Sequence, residues 1–158
     1  PFTIEAWFMP DTMSVKQNLI GKWGNTANQE YKLYIAANTI RLDLKDSTRQ
    51  AIVSAYTTGS QASLVGSWHH LAVTYDGRGA AAAAGGITFY IDGVSVPLAR
   101  TNNSSYVAMV DSTATLQIGR EAGFGKRYAA VRGLDVLFVL DRAALDILDA
   151  RIVEPLTP

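Results

Sequence analysis

The chain has no cysteine, which excludes a disulfide framework, a thiolate metal site and a cysteine nucleophile. No apolar run approaches the roughly 20 residues that a membrane-crossing helix requires, so membrane insertion is not expected. No signal peptide opens the chain. Pro1 is not a native start and Phe2 already lies in a strand pattern, so the sequence reads as a segment of a longer chain. An excess of one charge is missing as well, since 14 basic residues meet 14 acidic ones. No Lys/Arg cluster suggests a nucleic-acid footprint; the nearest approach, Arg120 with Lys126 and Arg127, reads as solvated loop charge. Glutamate is scarce, with only Glu5, Glu30, Glu121 and Glu154, and no Glu-x-Asp-x-x-Glu run occurs. Paired acids of the kind that hydrolyse glycosides are therefore not in view. His-Glu-x-x-His, Gly-x-Ser-x-Gly and phosphate-cradling glycine loops are absent too.

What is present is a succession of short strand patterns. Ser67 to Gly77 alternates over β-branched and aromatic residues and stops at Asp76-Gly77. Leu71, Val73 and Tyr75 share one face with His69, and Trp68, His70, Ala72 and Thr74 share the other. Bulk on both faces predicts a central strand covered on both sides. Ile87 to Ile91 repeats the form and ends in Asp92-Gly93, a dipeptide suited to tight hairpins. Phe2 to Met9, Leu19 to Trp23, Tyr31 to Ala36, Gln50 to Tyr56, Val94 to Leu98 and Leu116 to Gly119 add further strands. Ile40, Leu42 and Leu44 alternate with Arg41, Asp43 and Lys45, which predicts a strand with one face in water. The alanine-rich run Arg78 to Gly86 reads as a flexible connector. Gly133 to Leu140 is a nearly continuous apolar run, suited to a buried strand. Beyond it Asp141 can cap a short helix, with Leu145, Leu148 and Ile152 at helical spacing. About ten strands at regular spacing in 158 residues predict a single all-β domain, a sandwich of two packed antiparallel sheets with a short C-terminal helix.

Several of these stretches together resemble a known family. Trp68-His69-His70-Leu71-Ala72-Val73-Thr74-Tyr75-Asp76-Gly77 and Phe89-Tyr90-Ile91-Asp92-Gly93-Val94 look like the laminin G-like branch of the concanavalin A-like lectin/glucanase superfamily. Phe2 to Trp7, Ile20 to Trp23, Tyr31 to Tyr34 and Leu116 to Gly119 agree in the right order. Near the end, Asp135, Leu137, Val139, Arg142 and Ala143 match the family's last strand, while Leu140 replaces a tyrosine and Ala144 is an extra residue. The resemblance implies a jelly roll, and it implies that another strand commonly precedes Phe2, to be supplied by earlier residues, by a partner or by nothing. Relatives often hold calcium at the sandwich rim.

Candidate site residues follow from chemistry. Calcium wants six to eight hard oxygens, and Asp76, Asp92 and Asp111, with Asn103, lie in or near loops, where they can equally stabilise turns. His69 and His70 are adjacent on a strand, so they point to opposite faces and cannot chelate one ion together. Sugar binding would use an exposed aromatic as a stacking platform. Trp23, followed by Asn25 in a polar loop and by Tyr31, is the first candidate; Tyr34, Tyr56 and Tyr106 come behind it, and Trp7 and Trp68 read as core. The expected function is a non-catalytic recognition module of extracellular, cell-surface or virion setting, binding a glycan or a partner protein. A structural module that self-associates or pairs with a partner chain is the alternative from another class, and a glycoside hydrolase a distant third.

Overall fold

The computed structural model describes residues 1–119 and the backbone of residues 131–140. The first strands are β1 (Phe2–Pro10), β2 (Gln17–Trp23), β3 (Gln29–Ala36), β4 (Thr39–Asp46) and β5 (Ala51–Thr57). Then come β6 (His69–Tyr75), β7 (Ile87–Ile91), β8 (Val94–Ser95), β9 (Leu98–Thr101), β10 (Leu116–Ile118) and β11 (Val131–Leu140). They build a five-stranded sheet in the order β11-β1-β6-β7-β8 and a six-stranded sheet in the order β10-β2-β3-β4-β5-β9. Neighbouring strands are antiparallel throughout, as in β1 with β11 and β6. The architecture is the expected jelly-roll sandwich. The predicted C-terminal helix and the loop Arg120 to Tyr128 lie outside the described residues. Among the described residues no helix is long and apolar enough to cross a membrane.

Alternation decides what each strand buries. Ile4 and Phe8 of β1, Leu71 and Val73 of β6 and Phe89 of β7 turn inward from one sheet. Leu33 and Ile35 of β3, Ile40, Leu42 and Leu44 of β4 and Val53 of β5 meet them from the other. β1 is hydrogen-bonded on both sides, so a strand preceding it in the chain would pair elsewhere. Two hairpins use positive φ in the way their sequences require: Ala37-Asn38 (49° and 60°) joins β3 to β4, and Asp92-Gly93 (51° and 79°) joins β7 to β8. The chain crosses from the five-stranded to the six-stranded sheet at Val96-Pro97, between β8 and β9. Proline suits that corner because it has no N–H for a ladder to miss.

Three expectations are corrected. The alanine run is not a free connector. Ala83 and Ala84 are fully buried in a short 3-10 turn, because their methyls are small enough to close the end of the core. Arg100 Nε donates to the Ala84 carbonyl and Nη2 to the Ile87 carbonyl, and Asn102 Oδ1 accepts from the Ala84 N–H. Second, β6 is central but its outer face (His70, Ala72 and Thr74) is only half-buried, while Leu71, Val73 and Tyr75 are buried. Third, the charged face of β4 is not in water: Asp43 is 8% exposed and Lys45 5%. Lys32 and Ser54 on the neighbouring strands engage Asp43, and Arg41 of the same face is half-buried.

Candidate functional site

The outward side chains of β3, β4 and β5 form two cross-strand rows. Register places Lys32 opposite Asp43 and Asp43 opposite Ser54, and, two residues along, Tyr34 opposite Arg41 and Arg41 opposite Tyr56. The first row is a floor. Lys32 Nζ lies 3.6 Å from Asp43 Oδ2, and Ser54 Oγ donates to Asp43 Oδ1 at 2.7 Å. Gly21 of β2 stands opposite Lys32 in the same row. A Cβ there would lie 2.7 Å from the Tyr31 carbonyl oxygen and 2.9 Å from Lys32 Cα, so only glycine lets β2 approach β3 this closely.

The second row is the accessible part, since Tyr34, Arg41 and Tyr56 are all half-buried. The Arg41 guanidinium sits 4.9 Å from the Tyr56 ring centroid, and its Nε donates to Thr39 Oγ1 at 2.8 Å. Two ammonium groups flank Tyr34, with Lys32 Nζ 4.9 Å and Lys16 Nζ 5.7 Å from the ring centroid. Burial pushes the Tyr34 phenol up to about 12, and the Asp43 carboxylate adds to that. The phenol therefore stays protonated at neutral pH, able to donate. Pinned aromatics alternating with fixed cations offer stacking surfaces and charged hydrogen-bond donors in one plane.

The residues singled out from sequence fall at separate places. Trp23 is 7% exposed, with Lys32 Nζ 4.0 Å over its ring; the ammonium and its stem lid the indole. Asn25 is exposed in the β2–β3 loop, where its side-chain carbonyl accepts from Asn28 Nδ2. Tyr31 turns the other way, its ring 5.6 Å from that of Phe2 at the margin of the core, and burial raises its phenol pKa. Tyr106 is buried and packs in the core. Only Tyr34 and Tyr56 of the aromatic candidates join the rows described above.

The three carboxylates considered for calcium are dispersed and each faces a cation or ring nitrogen. Asp76 Oδ2 lies 2.6 Å from Arg78 Nη2. Asp92 Oδ2 accepts from His69 Nδ1 at 2.7 Å and Oδ1 from the His70 N–H at 2.8 Å. Asp111 Oδ1 lies 3.4 Å from Lys22 Nζ, which also holds Glu30 Oε1 at 2.9 Å. His69 and the Arg78 side chain hold Asp92 and Asp76 below the ordinary carboxylate range. Among the described residues no three His, Asp or Glu side chains converge as a metal cage.

Sequence reasoning missed Arg41 and Lys16, and it misplaced two tryptophans. Trp7 is 49% exposed and Trp68 48%, both outside the core. The parity of β1 contained the signal: Ile4, Ala6 and Phe8 turn inward, so Trp7 must turn out.

A family model described as the concanavalin A-like lectin/glucanases superfamily matches residues 1–143. Similar solved structures include the CBM40 module of a Ruminococcus gnavus IT-sialidase bound to alpha2,3 sialyllactose. It has a TM-score of 0.58 and 12% identity, covering 87% of this chain and 74% of that one. Domains LG4-5 of the mouse laminin alpha1 chain align with a TM-score of 0.51 and 18% identity, covering 85% of this chain and 34% of that one. At such identities the likeness is one of fold. No curated protein matches the chain.

Proposed function

Because the chain belongs to the concanavalin A-like lectin/glucanase superfamily, we propose that it is a non-catalytic recognition module that binds an acidic glycan on the outer face of its six-stranded sheet. The observation that carries this reading is the half-buried row Tyr34–Arg41–Tyr56, flanked by Lys16. Tyrosine rings give a sugar ring a flat apolar surface, and an arginine fork held between them suits a carboxylate bidentately. Lys16, Lys32 and Arg41 surround the tyrosine rings with cationic groups, which suits an anionic ligand. The CBM40 neighbour, whose bound ligand is a sialyllactose, supports an anionic sugar as the first class to try.

The scarcity of glutamate and the missing Glu-x-Asp-x-x-Glu run support binding over hydrolysis. An extracellular, cell-surface or virion setting accords with this reading.

The test is a glycan array of sialylated, sulfated and neutral sugars, run with calcium and with chelator. Retention on acidic glycans is expected, equally with chelator, since the rim carboxylates are already paired. Tyr34→Ala and Arg41→Gln should each weaken binding by about tenfold or more, a loss on the order of 1.4 kcal/mol, with Trp23→Ala acting through stability instead. Acidic-glycan binding that survives both outer-row variants would sink the assignment to this face, and a blank array would sink the reading itself.

A further inference from the structure

The outer face of the five-stranded sheet carries residues that a face left in water has no need of. Register sets them in three cross-strand rows. Val139, Thr3, Thr74 and Thr88 stand in the first, Leu137, Glu5, Ala72 and Tyr90 in the second, and Asp135, Trp7 and His70 in the third. In these rows β1, β6 and β7 bring no lysine or arginine, whereas Lys32, Arg41 and Lys45 stand on the outer face of the six-stranded sheet. Trp7 is 49% exposed, with the His70 ring 5.2 Å from its own. Thr3, Ala72, Thr74 and Thr88 are short and half-buried, so the middle of the face is low.

Where the chain goes next decides what fits there. Leu140 ends β11 opposite Phe2, so residues 141–158 start from a corner of this same sheet. They lie outside the described residues, and their sequence predicts a helix capped by Asp141 and stopped by Pro155. At helical spacing Leu145, Leu148 and Ile152 form an apolar stripe, while Arg142, Asp146 and Asp149 gather on another side. Such a stripe needs a neighbouring element to bury it. The lengths agree as well. Eleven helical steps from Asp141 to Ile152 rise about 16 Å, and five strand steps from Phe2 to Trp7 cover about 17 Å. Attachment through Leu140 also gives this segment a high effective concentration at the face, which a separate protein or a second copy has to exceed.

We propose that residues 141–154 fold back over the five-stranded sheet as an amphipathic helix, with Leu145 toward Thr3, Leu148 toward Ala72 and Ile152 toward Trp7. The outer face of this sheet is then an internal docking surface, and the six-stranded sheet is the face left open to ligands. This inference stands apart from the acidic-glycan reading, and the two fail separately.

The absence of cysteine makes the test direct. In the full chain Ala72→Cys supplies a single thiol, and its rate of reaction with a maleimide reads whether the face is covered. Labelling should be about tenfold slower than in the same chain carrying Leu145→Asp and Leu148→Asp, with Asp146→Asn as a polar-side control that changes nothing. A second measurement keeps the stripe's other residues intact, so that it does not depend on how the double variant folds. In Ala72→Cys, Leu148→Cys a short bis-maleimide should join the two thiols within one chain, and in Ala72→Cys, Asp146→Cys it should not. Fast labelling in the parent overturns the proposal, as does slow labelling that speeds up on dilution, which marks a second copy on the face. Slow labelling unmoved by Leu145→Asp and Leu148→Asp, or a missing intrachain cross-link, overturns it as well.

Discussion

Asp46 illustrates how a single side chain organises its surroundings. It is fully buried at the end of β4 and accepts from the Arg49 N–H at 3.0 Å, from Arg49 Nη1 at 3.1 Å and from the Val107 N–H at 3.3 Å. Burial alone would raise its pKa, but these donors outweigh it and hold the carboxyl below the usual range. A depressed native pKa stabilises the fold above the unfolded value, about 3.9, and that contribution fades as pH falls below it. Asp46→Asn should therefore cost on the order of 1–3 kcal/mol near neutrality. In urea titrations the difference from the parent should shrink as pH is lowered past about 3.9; a gap unchanged at pH 3 would show that the charge is immaterial. Lys32 allows a second test at this scale, since its ammonium covers the Trp23 indole. In a Trp7→Phe, Trp68→Phe background, Lys32→Ala should raise iodide quenching of the remaining tryptophan. No change would mean that Trp23 is shielded by something other than Lys32.

Between strands the decisive quantity is closeness of approach. Gly21→Ala would force a methyl against the Tyr31 carbonyl and Lys32 backbone, and backbone cannot yield as a flexible side-chain end can. A loss of roughly 1–3 kcal/mol is expected from such overpacking, read as a lower urea midpoint. The loss should come with weaker acidic-glycan binding, because Lys32 and its row shift with it. At this scale the sequence was readable in one respect and opaque in another. Strand positions followed from alternation, and the inward sets Leu33/Ile35 and Ile40/Leu42/Leu44 are the buried ones. Whether an outward face stays wet depends on neighbours that the strand's own residues do not specify. Asp43 and Lys45 look solvated when β4 is read alone, yet Lys32 and Ser54 from the flanking strands close over Asp43. Trp23 and Trp68 exchanged roles for the same reason. The first is lidded by a lysine nine residues on in the chain, and the second, just ahead of β6, stays 48% exposed. Arg41 gave no signal of its own, because its place between Tyr34 and Tyr56 exists only once β3, β4 and β5 are in register.

For the molecule as a whole, one core joins the two sheets, so damage on one side should be felt on both. Phe8→Ala or Leu42→Ala, each from a fully buried position, should cost about 2–5 kcal/mol. Denaturation should remain a single transition, with fluorescence and far-ultraviolet circular dichroism coinciding; separate transitions would mean that the sheets fold as independent units. The place of β1 has a consequence for biosynthesis. Its nine residues leave the ribosome ahead of every other strand described here, yet one of its two partners is β11, which begins at residue 131. The hairpin of β3 and β4 can zip within microseconds of emerging. At about 5–20 residues per second, the nascent chain carries β1 with one flank unpaired for roughly 6 to 24 seconds. Throughout that interval a strand rich in Ile, Phe and Trp offers an open ladder to any neighbouring polysome product, so yield in a cell should depend on translation speed and on chaperones that shield that edge.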